Sequence, residues 1–128
     1  MTSVEIPFSV ASALPTLSVF DITNEVSRDV RKGKPGSGLA YVTPLATTSL
    51  IRVTERESGF FEDLECMLER LVPLEAEERA RLVSMLLGPR TEQIPFSEGS
   101  LCLGQYQRIF LVGFEDRCSD EWMLTIVA

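Results

Sequence analysis

The sequence contains no histidine. Histidine is the usual acid–base group near neutral pH and the commonest metal ligand, so catalysis in this chain would rest on carboxylates, arginine, tyrosine or thiols. Cysteine is scarce too: Cys66, Cys102 and Cys118 are an odd number without metal-type spacing. The N-terminal MTSVEIPF lacks a basic region followed by an apolar core, so no secretion signal is expected, the thiols read as reduced, and the protein reads as cytoplasmic. Cys66 and Cys102 sit in apolar patterns as packing residues, and Cys118 falls in a polar loop without the electropositive neighbours of a nucleophilic thiol. No apolar run nears the ~20 residues of a membrane span, so no membrane partner is expected. Positive charge is thin as well. A net charge of −7 argues against a nucleic-acid partner, and Arg28, Arg31, Lys32 and Lys34 read as a solvated helix end. Without histidine or carboxylates clustered in coordinating geometry, neither a metal nor another cofactor is expected.

What is present is ordinary globular material: 128 residues, 45% hydrophobic and 24% charged, enough for one domain over residues 1–128. The most apolar stretch is residues 101–114, LCLGQYQRIFLVGF, interrupted by Gly104 and by two glutamines flanking Tyr106. Glycine inside a strand pattern predicts a bulge or close backbone approach. Residues 107–114, with Ile109, Phe110, Leu111 and Val112 in a row, predict a strand buried on both faces.

Before that stretch, Val4, Ile6, Phe8 and Val10 alternate around Pro7 as an edge strand. Residues 17–20 predict a second strand. Asp21 or Thr23 caps a helix with Ile22, Val26 and Val30 on its buried stripe, ended by Gly33. Residues 38–43 and 50–53 predict strands around Pro44 and a Thr47-Thr48-Ser49 turn. A helix after Ser58 carries Phe61, Leu64, Leu68 and Leu71 on its apolar face, with Glu62, Asp63, Glu65 and Glu69 opposite as a solubilising surface. Pro73 stops it. A further helix over residues 75–87, with Leu82, Met85 and Leu86 facing inward, ends at Gly88-Pro89. A hairpin through Ser97-Glu98-Gly99 and a last strand over residues 122–127 complete about eight strands and three helices of an α+β domain.

The order and wording of these segments resemble the YjbQ-like family of small bacterial and archaeal proteins, some of which are described as secondary thiamine-phosphate synthases. Asp21-Ile22-Thr23-Asn24-Glu25-Val26 is similar to that family's first-helix signature, and Ala46-Thr47-Thr48-Ser49 through Thr54-Glu55 to its His-Thr-Thr to Asn-Glu segment. Leu71-Val72-Pro73, Ser84-Met85-Leu86-Leu87-Gly88, Ile94-Pro95 and Leu103-Gly104-Gln105-Tyr106-Gln107 continue the match, which spans residues 21–127. The resemblance implies a β-sandwich of mostly antiparallel strands that assembles as a homotrimer, with a polar site near the subunit boundary. The departures are specific. The family's His-Thr-Thr histidine falls on Ala46, its asparagine on Thr54, its His-x-His pair on Arg79 and Arg81, and its Trp on Tyr106.

Two readings fit Arg79 and Arg81. As i,i+4 partners of Glu75 and Glu77 they decorate a solvated helix. As a guanidinium pair at the head of a helix they bind a small anionic or phosphorylated ligand, with Thr47, Thr48 and Gln107 completing the pocket. Glu55 is the candidate general base, or else a partner of Arg52 or Arg56. Tyr106, with its apolar body and polar tip, suits a subunit contact. The leading expectation is a trimeric binding or structural protein that has lost its family's imidazole chemistry. The alternative is an enzyme on small phosphorylated substrates that resembles secondary thiamine-phosphate synthase, with Arg79 and Arg81 for binding and Glu55 as base.

Overall fold

The computed structural model describes residues 16–33, 36–115 and 118–128. The strand expected around Val4 to Val10 lies outside them. Seven strands and three helices follow in the order β1 (Ser18–Asp21), α1 (Thr23–Lys32), β2 (Gly38–Pro44), β3 (Ser49–Glu55), α2 (Ser58–Leu71), α3 (Arg79–Leu87), β4 (Glu92–Ser97), β5 (Ser100–Leu101), β6 (Gln107–Gly113) and β7 (Trp122–Val127). They form two antiparallel sheets, one ordered β1-β6-β3 and the other β5-β4-β2-β7.

β6 is the centre of the first sheet and is buried on both faces. Its side chains alternate by the two-residue period of a strand. Phe110 and Val112 pack with Leu50, Phe61, Leu68 and Val83 beneath α2 and α3. Ile109 and Leu111 face the other way, into a second core with Ala40, Val42, Ile94 and the α1 stripe of Ile22, Val26 and Val30. Three layers result: helices α2 and α3, the β6 sheet, and the β2 sheet.

α1 is fastened to β6 by a short relay. The Ile109 N–H donates to Thr23 Oγ1 (2.7 Å), whose hydroxyl donates to Asp21 Oδ1 (2.7 Å). Asp21 also accepts from the Thr23 N–H (3.1 Å) and, through Oδ2, from Arg108 Nε (2.9 Å). Asp21 thus serves the first turn from just outside the helix, and Thr23 is already inside it. At the other end of the fold, Glu98 (φ 53°) and Gly99 (φ 80°) close the β4–β5 hairpin. Two consecutive positive-φ residues match the right-handed twist of the paired strands.

Several expectations about facing are corrected. α3 starts at Arg79, not near Glu75, and its buried stripe is Arg79 and Val83, with Ala80 and Leu87 partly covered. Leu82, Met85 and Leu86, expected inward, are exposed. The small Ala76 and Ala80 pack against the core below, which selects the Arg79 face although the opposite face is more apolar. Leu71 is also exposed, because α2 ends there and Val72 takes the core position. Glu65, expected on the solvated face, is buried, and its Oε2 accepts from the Thr16 N–H (2.7 Å) and Oγ1 (2.6 Å). Cys66 and Cys102 are exposed rather than packed. Gly104 makes no bulge in a strand: it lies in the loop between β5 and β6. Among the described residues no helix is long and apolar enough to cross a membrane.

Candidate functional site

The turn between β2 and β3 is built from its carbonyls. Arg90 Nη2 donates to the carbonyls of Pro44 (2.6 Å) and Ala46 (2.9 Å), Ser49 Oγ donates to Ala46 O (2.8 Å), and the Phe114 N–H donates to Thr48 O (3.0 Å). These bonds fix the backbone, and Thr47 and Thr48 line a groove of about 890 Å³. Across it stands the head of α3, where Arg79 and Arg81 are the first and third helical residues. Residues two apart on a regular helix point about 200° apart, but the chain is only entering the helix here, and both arginines line the same groove. Arg90 and Ser84 also line it, as do three carboxylate residues, Glu77, Glu78 and Glu115.

Arg79 is the unusual member. Its side chain is buried, at 9% exposure. Nε donates to the Val72 carbonyl (3.1 Å), closing the bend between α2 and α3, while Nη2 is buried and has no partner among the described residues. The Glu75–Arg79 surface pair therefore does not form; Glu75 precedes the helix, where i,i+4 geometry does not apply. Arg81 is exposed and approaches Glu78 at 4.0 Å, not Glu77. Arg90 Nε is likewise buried without a partner among the described residues. Buried guanidinium nitrogens without acceptors are costly, and they are the donors that bind oxyanions bidentately.

Glu55 and Gln107 are not part of this groove. They are cross-strand neighbours on β3 and β6 and line a separate depression of about 260 Å³ with Thr54, Glu57 and Phe60. Gln107 Oε1 accepts from the Gly104 N–H (2.7 Å), so the amide closes its own loop instead of completing an anion pocket. Arg52 is not a partner of Glu55 either, since its guanidinium donates to the carbonyls of Ile51, Leu87 and Pro89. Tyr106 is 68% exposed and free to meet another surface.

Cys118 lies beside the turn. Burial, and then the Glu115 carboxylate, push its thiol above the ordinary value, against weaker opposite pulls from Ser49, Thr48 and the Ser119 backbone. It stays protonated near neutral pH, which is unfavourable for a nucleophile. A Cβ on Gly113 would collide with the Cys118 side chain, so the bare backbone at 113 lets the thiol pack there. Among the described residues no group of three cysteine or carboxylate side chains comes together to hold a metal.

Sequence patterns missed Arg90, Ser84 and Glu115. Arg90 follows the Gly88-Pro89 stop and carries no local signal of its reach back to residues 44 and 46. Glu115 reads as the start of a polar loop.

Residues 12–128 match the family described as UPF0047 protein YjbQ-like. A UPF0047 protein of Archaeoglobus fulgidus is 35% identical over 108 residues, covering 77% of this chain and 82% of the relative. One from Methanothermobacter thermautotrophicus is 32% identical over 103 residues, covering 73% and 71%. The crystal structure of a YbjQ-like protein of unknown function from Sulfolobus solfataricus superimposes with a TM-score of 0.77 at 25% identity, covering 87% of each chain.

Proposed function

The chain belongs to the YjbQ-like family, and from that premise we propose that it is a binding protein, which holds a small anionic or phosphorylated ligand in the groove at the head of α3 and does not turn it over. The observation that carries this reading is Arg79, buried on the groove wall with Nη2 unpartnered among the described residues. Arg81, Arg90, Thr47 and Thr48 line the same space, together with Glu77, Glu78 and Glu115. An oxyanion accepting from Nη2 removes the cost of that orphaned donor, so ligand affinity includes relief of a strain present in the free protein.

The absence of turnover follows from the side chains. The positions at which the family resemblance puts imidazoles hold Ala46, Arg79 and Arg81, and the chain has no histidine elsewhere. A guanidinium is a permanent cation that only donates, so it replaces neither a proton shuttle nor a metal ligand. The alternative, an enzyme on small phosphorylated substrates with Glu55 as base, is less well supported. Glu55 lies in a different depression from both arginines within the chain, and a general base must reach its proton directly or through one water. The reading includes assembly as a cytoplasmic homotrimer, supported by the family resemblance and by exposed apolar side chains such as Met123, Val127 and Tyr106.

Thermal unfolding tests the proposal. Inorganic phosphate, pyrophosphate and a small phosphomonoester are expected to raise the wild-type midpoint, because a ligand that binds only the native state stabilises it. Arg81→Ala, at an exposed position that leaves the core intact, is expected to reduce the shift, and Arg79→Met with Arg81→Ala to remove it. Equal stabilisation of wild type and double variant contradicts the groove. Robust thiamine-phosphate synthase activity that disappears with Glu55→Gln contradicts the absence of turnover.

A further inference from the structure

Away from the arginine groove, a cavity of about 300 Å³ opens on the helix side of the β6 sheet. Its floor follows from strand pairing: Leu50 of β3 stands opposite Val112 of β6, and both pack toward α2 and α3. Phe61 and Leu64 of α2 line one side, Leu87 at the end of α3 lines another, and Phe60 is 45% exposed where the space meets solvent. Protein interiors hold few voids larger than a water molecule. Apolar cavities of about half this volume take up benzene, and small-molecule sites start near this size.

Among the described residues, Arg52 is the one charged residue in the lining. Its Nη1 donates to the carbonyls of Ile51 (3.0 Å) and Pro89 (2.9 Å), and its Nη2 to that of Leu87 (2.8 Å). Leu87 is the last residue of α3, so the guanidinium sits at the negative end of the helix dipole, which offsets its charge. The same bonds tie the end of α3 to β3 and hold that wall in place. Glu55, Arg56 and Glu57 lie outside the lining, and strand alternation puts Glu55 on the opposite face of β3 from Thr54. Phenyl rings dominate what remains. Phe60 meets Phe61 edge to face, with centroids 5.2 Å apart at 82°, and Phe61 meets Phe110 at 5.1 Å and 68°.

We propose that this cavity is a binding site for a small uncharged bicyclic arene, a molecule of the size of indole. Volume sets the size, because a single benzene ring occupies a cavity about half as large. Charge sets the class. The one cation in the wall already faces the carbonyls at the end of α3, so an ionic ligand gives up its hydration without gaining a counter-charge. The rings favour an aromatic guest, which extends the edge-to-face series through Phe60 and Phe61. Burial of the guest's apolar surface supplies the affinity. The cavity and the anion groove share Phe114 and no arginine, so either proposal can fail alone.

The test is a methyl and amide NMR titration of the full-length protein with indole, with indole-5-carboxylate as its anionic counterpart and tryptamine as its cationic one. Indole is expected to bind saturably, with a dissociation constant on the order of 1 mM for about nine non-hydrogen atoms. Its shifts should centre on the methyl groups of Leu50, Leu64, Leu87 and Val112. Both charged analogues are expected to bind about tenfold more weakly, because their charge must leave water. Leu64→Phe and, from the opposite wall, Leu87→Phe reduce the space and are each expected to abolish indole binding. The proposal is overturned by the wild-type protein alone if indole does not saturate, whether the space is closed or filled by another part of the assembly. It is overturned equally if a charged analogue binds as tightly as indole, if the shifts map to the Arg79 groove, or if a filled variant with a native spectrum keeps wild-type affinity.

Discussion

Arg79 is held by one hydrogen bond, from Nε to the Val72 carbonyl, and leaves Nη2 without an acceptor among the described residues. The two features oppose each other. The bond to Val72 stabilises the bend between α2 and α3, and the orphaned donor costs about 1–3 kcal/mol. Replacing the guanidinium by an apolar side chain of similar length removes both. Arg79→Met is therefore expected to stay within about 1 kcal/mol of wild-type stability in urea denaturation without phosphate. Arg79→Ala also empties volume beneath the helix and is expected to lose about 2–3 kcal/mol. A large loss for the Met variant would mean that the Val72 bond outweighs the orphaned nitrogen. None of this was legible in the sequence. A cation with an acid four residues earlier reads as a surface pair, and the pattern does not reveal that Glu75 stops short of the helix. Glu65 misled in the same way: an acidic residue in an acidic run gave no sign that it anchors Thr16.

At the scale of elements, legibility followed how much one strand or helix depends on its own residues. β6 was readable because four consecutive apolar residues have no place except between two cores. α1 was readable because Ile22, Val26 and Val30 leave a single stripe and Gly33 ends it. α3 was not. Its outward face is richer in large apolar side chains than its buried one, and only docking onto the sheet selects the Arg79–Val83 face. The α1–β6 junction gives the prediction at this scale. Thr23→Val keeps the shape but removes the acceptor for the buried Ile109 N–H and the donor to Asp21. It is expected to destabilise by about 1–3 kcal/mol in chemical denaturation. Thr23→Ser, which keeps the hydroxyl, is expected to recover most of that. If valine and serine behave alike, the relay contributes nothing and the junction is held by packing alone.

Over the whole molecule, the groove draws on residues 47–48, 79–81, 84, 90 and 115, contributed by a turn, a helix head and two loops. No local pattern links them. Only the resemblance, by aligning Thr47, Thr48, Arg79 and Arg81 with one family's polar segments, pointed to a common site, and it added Gln107, which lines a different depression within the chain. The assembly belongs to this scale as well. Light scattering is expected to give a mass near three chains, and a clean species at 14.3 kDa contradicts the trimer. The central claim is that Arg79 and Arg81 meet one anion, and the guanidinium Nε–Hε NMR signals of the full chain report on it directly during titration with inorganic phosphate. The account predicts that Arg79 and Arg81 shift together along a single saturating curve, while Arg108, tied to Asp21, and Arg52, tied to three carbonyls, stay in place. A motionless Arg79, or equal drift of all the arginines without saturation, would contradict it.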